Sequence, residues 1–90
     1  MATPAEIAVA KTEITQKTRA QIETETARKW CARACAAFQQ YTAEGDMCWL
    51  VDAIDYTHEA VEHASATDND AVLADVRASV NASRKAALGF

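Results

Sequence analysis

YTAEGDMC, residues 41 to 48, decides how this chain folds. Gly45 is one of two glycines and Pro4 is the single proline in 90 residues, so chain breakers are scarce. A glycine directly after a helical run supplies a left-handed cap, and an aspartate after it can accept the first free amides of a new helix. Gly45-Asp46 therefore reads as a stop followed at once by a restart. The tight turn it implies makes the flanking segments an antiparallel helical hairpin.

Outward from that turn the remaining punctuation is sparse. Upstream, TPAE at residues 3 to 6 is a helix start, with Thr3 as N-cap, Pro4 at the first helical position and Glu6 closing a capping box. No strong breaker stands between Glu6 and Gly45, which predicts one helix of about 40 residues, roughly 60 Å long. Downstream, TDND at 67 to 70 is a turn, with Thr67 or Asp68 as cap and Asp70 in the next first turn. Gly89 ends the last helix. The expected helices span about 4–44, 46–65 and 69–88. The chain contains no internal repeat and no low-complexity segment.

Composition agrees with an all-α domain and sets its weakness. Half the residues are hydrophobic, but 21 of those 45 are Ala and three are Cys, leaving 21 large ones. Small domains bury a modest share of their surface, and few large side chains make that worse. Close packing through Ala, or self-association, are the two remedies. The fold expected is a long N-terminal helix followed by a two-helix hairpin, an antiparallel three-helix bundle completed by a second copy. All 90 residues are expected to form one helical domain.

The net charge of −4 is unevenly spread. Residues 44 to 76 hold nine acids and no Lys or Arg, whereas residues 77 to 90 hold three basic side chains and no acid. An acidic surface argues against nucleic acid as a partner. No window approaches the roughly 20 apolar residues of a membrane span, and MATPAEIAVAKTE lacks the pattern of a secretory signal. Three cysteines with no evident framework suit free thiols in a reducing compartment. These features point to a cytoplasmic protein without a membrane partner. The Ala- and Asp-rich, Lys-poor balance suits a bacterial source.

Helical spacing places two apolar faces on the second helix. Met47, Leu50, Val51, Ile54, Val61 and Ser65, with His58 among them, form the broader stripe and are expected in the core. Trp49, Ala53, Tyr56 and Ala60 form a smaller patch, expected to face a partner, since aromatics are enriched in interfaces. Asp52, Asp55, Glu59 and Glu62 make an acidic seam between the two. On the first helix Ala27, Trp30, Cys31, Ala34, Phe38 and Tyr41 share a face. Ile7, Ala10, Ile14 and Thr18 point to nearly the opposite side, the change falling at IETETA, residues 22 to 27. The interface expected with a second copy uses Ile7, Ile14, Trp49 and Tyr56.

HEAVEH, residues 58 to 63, most resembles chemistry. It misses the zinc-protease pattern, which needs His at 62, and the inverted pattern, which needs His at 59. Asp55, His58 and Glu62 instead match the carboxylate-x-x-His arrangement of metal-holding bundles. Cys31 and Cys35, at i, i+4, could add soft ligands, and the hairpin would set Cys35 near Asp55 and Cys31 near Glu59. The plainer expectation is a core-facing His58 bonded to a carboxylate, an exposed His63 and three packing thiols. No Gly-rich phosphate loop exists, and no oxyanion donors accompany a Cys31–His58 pair. The sequence thus favours a non-enzymatic module with no cofactor that binds itself as a homodimer, or another protein. A metal-binding bundle using Asp55, His58, Glu62, Cys31 and Cys35 is the alternative.

Overall fold

Gly45 adopts φ 71° and donates its amide to the Tyr41 carbonyl at 2.7 Å, closing a helix that Asp46 immediately restarts by accepting from the Cys48 amide at 2.9 Å. The left-handed conformation disfavours any side chain there. The computed structural model describes residues 18–90. It is all-α, with α1 at Arg19–Glu44, α2 at Met47–Ala66 and α3 at Asp70–Leu88, packed against one another. Among the described residues there is no strand. Ile7 and Ile14 lie outside the described residues.

The first described helix begins at Arg19, with Thr18 as its N-cap, and the part of the expected 4–44 helix before Thr18 lies outside the described residues. The Thr18 backbone is extended (ψ 155°), its hydroxyl accepts from the Gln21 amide, and the Gln21 side chain accepts from the Thr18 amide. This reciprocal capping box satisfies two otherwise orphaned donors, so a helix start competes with helix continuation. This helix start stands four residues before the IETETA segment, where the change of face is read from sequence.

The α2–α3 turn also differs in detail. Asn69, not Thr67 or Asp68, caps α3, accepting from the amides of Ala71 and Val72. Thr67 is buried and closes α2, donating to the Ala64 carbonyl at 2.6 Å and accepting from the Asn69 amide. Asp68 takes a left-handed φ of 54° between them, a conformation that Asp tolerates better than most residues.

The core is built from small side chains. Ala27, Ala34, Ala53, Ala60 and Ala64 are wholly buried, joined by Cys31, Ala37, Phe38, Val72, Val76 and Val80. Alanine faces let α1 and α2 approach closely. α3 lies across α1 through its three valines and meets α2 less extensively.

This rotates the faces expected on α2: Leu50 and Val61 pack against the core as expected, but the rest of their stripe does not. Ala53, Ala60 and Ala64 face the core, and Trp49 and Tyr56 pack beside them, whereas Met47, Val51 and Ile54 point outward. The Tyr56 ring meets Trp30 of α1 at 5.5 Å between centroids, and Arg33 covers Trp30 at 4.9 Å. Trp49 Nε1 donates to the Glu44 carboxylate across the turn. The two aromatics assigned to an outer interface therefore line the α1–α2 seam.

An enlarged side chain in that seam should be costly. Ala60→Leu is expected to lower stability by about 1–3 kcal/mol through overpacking, while Val51→Ala on the outer face should change the stability of the single, dilute protomer little. Urea unfolding followed by circular dichroism measures both.

Candidate functional site

The outward face of α2 is apolar where a surface helix is ordinarily polar. Met47, Val51 and Ile54 are 59 %, 54 % and 58 % exposed. They recur at helical spacing on one side, followed by His58, whose side chain is 80 % exposed. Leu50 and Val61, half-buried, join this stripe to the core.

Beside the stripe, α2 and α3 leave a groove of about 320 Å³. Phe38 and Val80, both 3 % exposed, form its floor. Ile54, Thr57, His58 and Val61 line it from α2, and Asn81 and Arg84 from α3. Stripe and groove are thus one continuous apolar surface, sharing Ile54 and His58. Charges of opposite sign border it. Asp55 and Glu62 are exposed on the far edge of α2, and the Glu62 carboxylate stands 3.7 Å from His58 Nε2. Arg84 stands on the α3 edge, where its Nε donates to the Phe90 carbonyl at 3.1 Å.

The two histidines exchange their expected roles. His58 is exposed because α2 buries its other face. His63 is half-buried and joins two helices, with Nδ1 2.5 Å from the Glu23 carboxylate of α1 and Nε2 3.6 Å from Glu59. The sequence signal for this tie was available: Glu59 and His63 are one turn apart on the side opposite Ile54, which is the core side once α2 packs through its alanines.

The alternative metal ligands are not brought together as a set; of them His58 and Glu62 approach, at 3.7 Å. Cys31 and Cys35 face α3 rather than α2, their thiols donating to the Val76 carbonyl at 3.9 Å and the Ser79 carbonyl at 3.7 Å. Asp55, His58 and Glu62 lie on α2, away from that contact. Among the described residues, no group of three or more His, Cys, Asp or Glu is placed to hold a metal ion.

The thiols differ in environment. Burial, then the neighbouring Cys35, pushes the Cys31 thiol above its ordinary pKa. Cys48 is exposed, yet the hydrogen bond and the charge of Asp46 push its thiol up as well. A cysteine in the first turn of a helix is ordinarily acidified by the free amides; the capping carboxylate outweighs that here.

No family model, curated protein or solved structure matches this chain. Among the described residues no helix is long and apolar enough to cross a membrane.

Two outcomes follow from this geometry. His63→Ala should destabilise the fold by about 1 kcal/mol, the worth of a partly exposed hydrogen bond, whereas His58→Ala should leave the urea midpoint of the dilute, monomeric chain unchanged. Because Asp46 disfavours the thiolate, alkylation of Cys48 should rise only at a pH above that of an ordinary exposed thiol. Asp46→Asn should move the rise to lower pH, as read by iodoacetamide labelling across a pH series.

Proposed function

We propose that this protein is a small non-enzymatic interaction module that self-associates as a homodimer and docks through the outer face of α2. One observation carries the reading: Met47, Val51 and Ile54, each more than half exposed, line up beside a groove whose floor is core. Exposed apolar residues scattered singly are ordinary, but a contiguous stripe rimmed by charge is characteristic of a surface that another protein covers. At about 25 cal/mol per Å² of apolar area, leaving such residues in water is a substantial loss for a domain with so thin a core. Docking recovers it.

The interface read from sequence shifts accordingly. Trp49 and Tyr56 belong to the α1–α2 seam, and the outer stripe, assigned from sequence to the core, becomes the docking face. The cytoplasm is the setting proposed, supported by three free cysteines.

Sedimentation of the full chain over a wide concentration range tests this reading. The wild type should pass from monomer to dimer. Ile54→Glu should remain monomeric with an unchanged helical spectrum, because a charge at the contact opposes burial. A wild type that stays monomeric at every accessible concentration overturns the self-association.

A further inference from the structure

The surface around α2 is ordered from edge to edge: acid, apolar, groove, base. Asp55 and Glu62 are exposed on the outer edge, and Met47, Val51, Ile54 and His58 come next. The groove floored by Phe38 and Val80 follows, and Arg84 forms the last edge. Arg77 lies two turns from Arg84 on the same side of α3 and is also exposed.

A face of this kind is complementary to a copy of itself in only one orientation. A two-fold axis in the contact plane has two settings. If it crosses α2, the helices run antiparallel and each acidic edge falls on the other acidic edge. If it runs along α2, the helices are parallel and the edges exchange, acid against base. The register also fits. Counting from Asp68 in the turn, Glu62 and Arg77 stand six and nine residues away, and Asp55 and Arg84 thirteen and sixteen. Both pairs share the same offset of three residues, about 4.5 Å along a helix, which an arginine side chain spans.

Resting on the self-association proposed above, we propose that the docked partner is a second copy with α2 parallel to α2. The α2 of each subunit seats against the α2–α3 groove of the other. Asp55 and Glu62 then face Arg84 and Arg77 of the partner subunit. α2 and α3 of both copies form a four-helix bundle, with α1 outside on each flank. The apolar stripe supplies the drive, and the charged edges select the orientation.

Two charge-reversed full-length chains test this. Asp55→Arg/Glu62→Arg has two basic edges, and Arg77→Glu/Arg84→Glu has two acidic ones. All four positions are exposed, and the helical spectrum checks that each variant folds. Each alone should dimerise at least tenfold more weakly than the wild type, and a mixture of the two should restore dimerisation as a heterodimer. Orientation is read separately in a Cys48→Ser background. Met47→Cys and Ser65→Cys, about 27 Å apart along α2, should each form a disulfide to the same position in the partner subunit. A wild-type dimer indifferent to both charge reversals overturns this arrangement and leaves self-association standing. So does cross-linking of position 47 to position 65 when the two variants are mixed. A wild type that remains monomeric overturns both.

Discussion

The alanine seam between α1 and α2 is the constraint from which the rest of the structure follows. Ala27 and Ala34 on one helix and Ala53, Ala60 and Ala64 on the other leave no solvent-accessible surface. Side chains this small let backbones approach, and packing at close range supplies dispersion contacts that larger, looser residues would lose. The seam fixes the rotation of α2 about its axis. Once the alanines face inward, Met47, Val51 and Ile54 must face outward, because they lie on the other side of the same helix. The outward stripe is therefore a consequence of the seam.

The seam also explains where polar groups sit. His63 and Glu23 meet because the rotation that buries Ala60 and Ala64 carries residue 63 toward α1. Trp30 and Tyr56 stack at its edge for the same reason, and Arg33 covers the outer face of Trp30. α3 completes the molecule differently. It presents valines and receives two thiols, Cys31 and Cys35, whose positions an alanine or serine could also occupy.

Much of the fold is legible in the sequence, and the lost part has a definite cause. Gly45, Asp46 and Gly89 mark helix ends because left-handed caps and side-chain caps are local chemistry. The Thr18–Gln21 capping box is equally local, with T-x-x-Q as its signature, but it is a weaker signal than glycine or proline. The error on α2 is of another kind. Periodicity identifies two apolar faces and weighs them by residue size, which assigns Ile54 and Val51 to the core. Close packing prefers the alanines, and no property of α2 alone decides between area buried and distance of approach. The alanines of α1 decide it. The candidate site turns with the face: His58 is exposed and His63 half-buried, and Trp49 and Tyr56 pack along the seam.

Both tryptophans lie along the α1–α2 seam, Trp30 against Tyr56 and Trp49 against Glu44. α3 contains none, and its hold on the other two helices runs through Val72, Val76 and Val80. Indole emission therefore senses the hairpin and not the third helix. Stability need not be uniform across a small domain, and a detachment of α3 would leave the intrinsic fluorescence almost unaltered while opening the thiols of Cys31 and Cys35 to solvent. Thiol accessibility, rather than fluorescence, is the natural probe of the weaker half of this molecule.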